Sequence, residues 1–440
     1  MEDALARVRR NTELGLIILV AVLTFGAYIL VSLGRTSALP ADVVPFLLAI
    51  LGLLVGAHLA VRRLAPRADG ILLPLAGLLN GIGYVFIARL DSDLAALQAV
   101  WTALGVGAFI ATLALVRRAR DLERFRYTFA LVGIGLLLMP LLPVIGRNIG
   151  GARLWIRFGT VTFQPGEFAK ILLCIFFASY LVEKRELLSE AIGRVGAVMV
   201  PSMRHLGPVL LAWGFSLVIM FFERDLGSSL LFFALFVSML WVATGRGAYL
   251  AIGTGLFGLG AVIAWNAFAH VQARVSIWLD PWKTPEGSGF QIVQALFAFA
   301  AGGIAGTNLA QGSPERIPAV ATDFIFAAIG EELGLLGSVA ILAAFLLMVG
   351  AGLRIAIRTD SPFDKLLAAG LTTILGVQSF VILAGVTRLV PLTGITLPFV
   401  SYGGSSLLAN YVLLALLLRV SDDESGRAGA EAMAFEETRA

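Results

Sequence analysis

The chain has 440 residues, 58% of them hydrophobic and only 14% charged, with a mean hydropathy of +0.90. Soluble domains carry about 25% charged residues, so this composition excludes a water-soluble globule and implies a polytopic membrane protein. The net charge of +4 is small and unevenly spread, which gives nucleic acid no support, and the single Cys174 excludes an intrachain disulfide and a cysteine metal cluster.

The first hydrophobic segment, Leu14 to Gly34, follows a basic start (Arg7, Arg9, Arg10). It is too long for a signal peptide and lacks a cleavage site, so it reads as a retained span. A span needs about 20 apolar residues. Twelve segments qualify: 14–34, 43–61, 70–88, 98–116, 127–145, 165–182, 207–222, 228–245, 249–268, 324–352, 364–386 and 402–420. With the N-terminus inside, the inner segments hold 22 of the 33 Lys and Arg residues. Short basic loops are retained in the cytoplasm, so both termini are expected there, and the long loop at 269–323 is expected outside. The tail 421–440 is acidic and rich in small residues, a composition that predicts disorder. His58, His205 and His270 are too scattered for a metal site and read as interfacial or loop residues.

Polar residues at membrane depth are costly, so four stretches stand out. In the first, Gly151 to Lys170, Arg153 and Arg157 are four apart. On a helix or tight turn they would face the same way and offer guanidinium groups to a phosphate, or else form an interfacial belt with Trp155. Glu167 and Lys170, three apart after Pro165, could pair with each other or take part in chemistry. The second, Glu223 to Ser229, is either a solvated turn or a charge network that includes Asp225.

The third is the long loop, with Asp280, Glu286 and a predicted amphipathic helix over Gln291 to Ala301; Asp323, Glu331 and Glu332 follow where the chain re-enters the membrane. A partly desolvated carboxylate at a membrane surface can serve as a general base. Asp323 has helix capping as a competing role. The fourth, Pro391 to Ser406, interrupts a hydrophobic stretch with Pro, Gly and the hydroxyls of Ser401 and Ser405. Broken backbone at this depth survives only buried in protein or lining a cavity, and an outer cavity is the expectation.

At these residues the sequence resembles the RodA/FtsW/SpoVE family, the SEDS proteins that build peptidoglycan. The matching blocks are GARLWIRFG and FQPGEFAK (Gly151 to Lys170), Asp225 to Gly227, GGIAGTNL and TDFIFAAIGEELG within Gln291 to Gly334, and TGITLPFVSYGGSS (Thr393 to Ser406). The likeness is nearest to the elongation-type branch. It implies an all-α membrane core of ten spans at 70–420, a two-span N-terminal extension at 1–69 and the tail at 421–440.

The resemblance also implies a glycosyltransferase of the plasma membrane that polymerises lipid II on the outer face, during elongation or division, beside a class B penicillin-binding protein. The acceptor's sugar 4-hydroxyl would attack the donor's anomeric carbon as the polyprenyl pyrophosphate leaves. Arg153 falls at the family's arginine position and would clamp the pyrophosphate with Arg157 and Lys170, with a divalent cation (Mg or Mn) sharing the charge. Glu167, Asp225, Gln291, Asp323, Glu331, Ser401 and Ser405 would support the site.

One departure matters. The family's loop block resembles DPxxDPxGxGY, and its second Asp, regarded as catalytic, is Thr284 in this chain. Threonine is no base near neutral pH, so Asp280 or Glu286 takes the role or activity is lost. Two other classes therefore compete with the polymerase: a flippase or transporter of the lipid-linked precursor, and a non-catalytic scaffold for the penicillin-binding protein. A transporter should show matching broken helices in two halves, and the stretches 223–229 and 391–406 share no pattern.

Overall fold

The structure, a computed structural model, describes residues 2–39, 43–143, 145–149, 152–159, 161–189, 191–195, 198–201, 203–223 and 225–439. Gly151 and Thr160 of the first motif block, Arg224 of the charged turn and the His205 side chain lie outside them. The elements are, in chain order, α1 (Glu2–Thr36), α2 (Val43–Leu64), α3 (Leu72–Leu90), α4 (Ser92–Leu115), α5 (Arg126–Leu138), β1 (Gly146–Ile149), β2 (Ala152–Phe158), β3 (Val161–Phe163), α6 (Gly166–Glu183), α7 (Arg185–Ser189), β4 (Ala191–Val195), β5 (Val198–Pro201), α8 (Met203–Glu223), α9 (Leu226–Thr244), α10 (Gly247–Ala267), α11 (Ala269–Leu279), α12 (Phe290–Gly302), α13 (Ile325–Arg358), α14 (Pro362–Val386) and α15 (Gly404–Arg439).

The protein is a predominantly α-helical polytopic membrane protein. Among the described residues ten helices are long and apolar enough to cross a membrane. Two further expected spans are also helices, α6 and α8, but the eighteen residues of α6 include Glu167, Lys170 and Glu183. Two small antiparallel sheets, β1–β2–β3 and β4–β5, add to the expected all-helical fold.

The chain divides into two compact units. Unit 1 comprises Met1–Ala119, Pro285–Asp360 and Thr396–Ala440; unit 2 comprises Arg120–Thr284 and Ser361–Ile395. The two-span extension is thus part of a larger body, with α1 packed on α3 and α2 on α4.

In unit 1, α13 is broken at Gly334, whose φ of 65° and ψ of −161° no helix accommodates. The freed amides of Leu335 and Leu336 donate instead to the carbonyls of Gly303 and Ile304 (2.9 and 3.2 Å), just beyond α12. Interrupted backbone inside a span is tolerated because neighbouring protein re-satisfies it. The approach is close enough to require glycine at Gly306, whose missing Cβ would meet the Glu332 carbonyl.

Helix α15 runs to Arg439 across 421–440, where composition predicts disorder. Its polar residues cap other segments. Asp422 accepts from the Arg67 amide (2.8 Å), Asp423 from the Ala119 amide (2.8 Å) and Glu424 from the Asp360 amide (3.4 Å).

His58 is not a loop residue. It lies within α2, 2% exposed, with Nδ1 2.6 Å from Glu13, which also pairs with Arg10. Buried charges persist only when paired, and this trio meets that condition. In unit 2, Cys174 lies fully buried on α6, with its sulfur against Gly370 of α14.

Candidate functional site

The charged and polar residues singled out by the sequence fall in both units. Unit 2 holds Arg153, Arg157, Glu167, Lys170, Asp225 and Asp280; unit 1 holds Glu286, Gln291, Asp323, Glu331, Ser401 and Ser405.

Arg153 and Arg157 sit on strand β2, not on a helix or tight turn. A strand alternates faces every residue, so positions four apart still share a side, and both are exposed while Ile156 between them is buried. Pairing of Gly146 with Ile156 and of Ile156 with Phe163 holds the strand in place. Arg157 Nε donates to the Gly159 carbonyl (2.9 Å). Arg153 has no hydrogen-bond or ion-pair partner among the described residues, and it lines a cavity of about 510 Å³ with Asn148, Phe221, Phe222, Phe268 and His270. An unpaired guanidinium facing a cavity is available to an anionic ligand.

Lys170, expected to bind pyrophosphate, is directed inward. Its ammonium is 2% exposed and donates to Glu167 Oε2 (2.6 Å) and Gln378 Oε1 (2.7 Å). It therefore braces α6 against α14, and of the two readings for Glu167 and Lys170 the mutual pair is the one observed.

Asp225 is the N-cap of α9, accepting from the Ser228 amide (3.1 Å) and from its hydroxyl. Burial holds its carboxyl above the ordinary carboxylate range, opposed by those Ser228 donors and by the charge of Arg274. It is a structural brace within unit 2.

Asp280 ends α11 and caps the 3₁₀ turn Pro281–Lys283, with Oδ1 accepting from the Trp282 amide (3.2 Å). Its side chain is 42% exposed, and the Lys283 ammonium stands 3.9 Å away. Thr284 closes the same turn. Two residues that sequence reasoning passed over fix this turn. Arg388, in the segment after α14, donates from Nε to the Trp278 carbonyl (2.8 Å) and from Nη2 to the Leu279 carbonyl (2.6 Å), satisfying the open end of α11. Arg274 donates to the Leu392 carbonyl (2.8 Å) from the same helix. Beside them lies an apolar cavity of about 570 Å³, lined by Leu226, Phe233, Phe257, Arg274, Trp278 and Leu392.

In unit 1 the carboxylates build a loop. Glu331 accepts from the Ser313 amide (2.8 Å), and Glu332 accepts from the Ala310 amide (2.9 Å) and from Arg89 Nε (2.8 Å). Arg89 also reaches the Gly312 carbonyl (2.9 Å) and Glu315 (3.1 Å). Glu332 and Arg89 are the members of this network that carry most of its bonds. The cap position of α13 falls to Phe324, without a side-chain cap, and Asp323 is half-buried in the turn before it. Ser401 donates to the Thr322 carbonyl and accepts from the Leu397 amide (3.0 Å), fastening the broken 396–406 stretch to the start of α13. This stretch is packed within the unit, with Leu397, Phe399, Val400, Ser401 and Ser405 buried. Gln291 is half-buried at the start of α12, and Glu286 is exposed in the turn before it.

Among the described residues no three His, Cys, Asp or Glu side chains gather as a cation site. The described residues therefore offer no preformed set of three such ligands for the divalent cation that the family likeness implies.

The family model described as "Cell cycle protein", covering FtsW, RodA and SpoVE, matches residues 83–426. The chain belongs to the RodA/FtsW/SpoVE family. It is 47% identical over 424 residues to the protein named peptidoglycan glycosyltransferase RodA of Mycobacterium tuberculosis, covering 94% of this chain and 90% of that one. It is 35% identical over 354 residues to the probable peptidoglycan glycosyltransferase FtsW of Geobacter metallireducens, covering 78% and 87%. Among solved structures it is similar to a chain from work on the structural coordination of polymerization and crosslinking by a peptidoglycan synthase complex (TM-score 0.64, 29% identity, 81% of this chain and 98% of that one). The Thermus thermophilus rod shape determining protein RodA is also similar (TM-score 0.59, 26% identity, 81% and 97%). The RodA/FtsW/SpoVE match begins within α3, so α1 and α2 precede it. The mycobacterial alignment leaves only 6% of this chain uncovered, less than the segment ahead of residue 83, so that relative shares part of the extension.

Proposed function

We propose that this chain is a peptidoglycan glycosyltransferase that joins lipid II units on the outer face of the plasma membrane, with both termini cytoplasmic and a class B penicillin-binding protein as its partner. The observation that carries the site assignment is the turn at Asp280. Arg388 fixes the end of α11, leaving an accessible carboxylate one residue beyond a helix whose Arg274 and Trp278 line an apolar cavity. Such a cavity suits a polyprenyl chain, and the carboxylate beside it suits the acceptor's proton.

In the reaction, Asp280 accepts the proton of the acceptor's sugar 4-hydroxyl as its oxygen bonds to the donor's anomeric carbon. The bond from that carbon to the pyrophosphate breaks, and the electron pair leaves with the pyrophosphate. Arg153, unpaired at its cavity, and Arg157 on the same face of β2 neutralise the charge that develops there. No step is assigned to a metal. Glu286 is the competing base, since it is exposed and follows Thr284 by two residues.

Purified full-length protein given labelled lipid II tests this reading. Glycan chains resolved on a denaturing gel, formed without a membrane potential, support it. Transfer of lipid II across vesicles without polymer would make the chain a flippase, and neither product would make it a scaffold.

A further inference from the structure

Helices α1 and α2 precede the family match, and the glycosyltransferase reading gives them no part. Within unit 1 they line a further cavity with α3, α4 and α15. Its volume is about 570 Å³, and its wall is largely apolar, from Phe46, Leu53, Leu54, Leu73 and Val106. Small-molecule sites run from roughly 300 to 1,000 Å³. All five wall helices are among those able to cross a membrane, and Leu48 at the rim is 65% exposed. An occupant would therefore enter from the bilayer.

Five polar side chains interrupt this wall: Thr24, Asn80, Tyr84, Thr102 and Tyr411. Thr102 donates its hydroxyl proton to the Gln98 carbonyl (2.8 Å), so toward Asn80 it can only accept. Asn80 Nδ2 donates to Thr102 Oγ1 (3.3 Å) and to Tyr411 Oη (3.0 Å). That assigns the amide: both N–H groups are used on protein, and Oδ1 remains as a buried acceptor with no partner. Thr24 Oγ1, on a residue 1% exposed, is likewise buried without a partner. Buried polar groups are nearly always hydrogen-bonded, so two orphans lining one cavity point to a missing partner.

We propose that this cavity binds a membrane-soluble alcohol, a hydrocarbon body carrying a hydroxyl. A hydroxyl can donate to Asn80 Oδ1 and can accept from Thr24 Oγ1, the two roles those atoms leave open. An ester, ether or ketone accepts only and leaves Asn80 unsatisfied. A phosphate or ammonium would lose its hydration in an apolar chamber that holds no opposite charge. A lone water could meet the same two atoms, but it would leave the apolar volume unfilled. The α1–α2 extension is then a lipid-binding module attached to the family core.

The test uses the purified full-length chain in phosphatidylcholine nanodiscs with a diazirine-bearing long-chain fatty alcohol, compared with its methyl ether. The alcohol should label α2 and α4 saturably and compete with its unlabelled form, about three- to tenfold better than the ether, as the one hydrogen bond to Asn80 Oδ1 that the ether cannot donate would give. Thr24→Val, nearly isosteric, should weaken labelling by alcohol and ether alike about three- to tenfold and keep the preference between them, because both accept from Thr24 Oγ1, with thermal unfolding unchanged. Ala103→Trp should fill the chamber and abolish labelling by both probes. Equal labelling by alcohol and ether, undiminished labelling in Thr24→Val, or no saturable labelling would overturn the proposal. Glycan synthesis is not the readout, so this test and that of the glycosyltransferase fail independently.

Discussion

Arg388 and Trp278 bond to each other in both directions. Arg388 Nε donates to the Trp278 carbonyl at 2.8 Å, and Trp278 Nε1 donates to the Arg388 carbonyl at 3.1 Å. The pairing joins residues 110 apart and lies two residues before Asp280. Arg388 adopts a φ of 62°, a left-handed conformation unusual for a residue with a Cβ. Such strain costs on the order of 1–3 kcal/mol, and it persists where surrounding bonds over-determine it.

Arg388→Lys should therefore impair the enzyme although charge is conserved, because an ammonium cannot span the Trp278 and Leu279 carbonyls as a planar fork does. Glycan synthesis should fall at least about tenfold, with membrane insertion intact, on the scale by which misplaced catalytic groups lose rate. Trp278→Phe, which removes one donor and keeps the ring, should fall less.

Asp280→Asn should cost about 10² to 10⁴ in polymerisation rate while thermal unfolding is unchanged, since only the proton acceptor is lost. Thr284→Asp should raise the rate by supplying the carboxylate present in the family motif. If Asp280→Asn is silent and Glu286→Gln inactivates, the base is Glu286.

Arg153→Lys should lower polymerisation steeply and leave folding intact. Arg153 has no partner among the described residues to lose, and a bidentate contact with pyrophosphate does not tolerate the loss of the fork. Full activity in this variant would reduce Arg153 to an interfacial anchor.

Glu332→Ala acts differently, on stability. It removes the buried partner of the Arg89 guanidinium, 8% exposed, leaving it the Gly312 carbonyl and the exposed Glu315, and it frees the Ala310 amide. Removing one member of a buried pair costs about 3–5 kcal/mol, so thermal unfolding in detergent should shift down well beyond any change from Glu286→Ala at its exposed turn.

The helices were legible because a run of about 20 apolar residues has few alternatives in a bilayer. The β2 strand was not, since its seven residues place two arginines at a spacing that serves a helix and a strand equally. Lys170 was legible as half of a pair with Glu167, three residues away, but not as a buried group, because Gln378 lies 208 residues further on. The same holds for Glu332 with Arg89 and for Glu13 with His58. Sequence shows which residues are expensive to bury, and only the fold shows what offsets the cost. Asp225 carried a usable local signal, with Ser228 three residues later, as a helix cap requires.

The burial of Cys174 has a practical consequence. A buried thiol in apolar surroundings is inert to aqueous maleimides, so the natural chain is already a silent background for thiol chemistry. A cysteine introduced at Ser313 would carry the only reactive thiol, and a membrane-impermeant reagent applied to intact cells would label it if the loop is external. Two introduced cysteines, one in each unit, would accept spin labels without any prior substitution. Distances and their spread could then be followed through turnover in the unmodified enzyme framework.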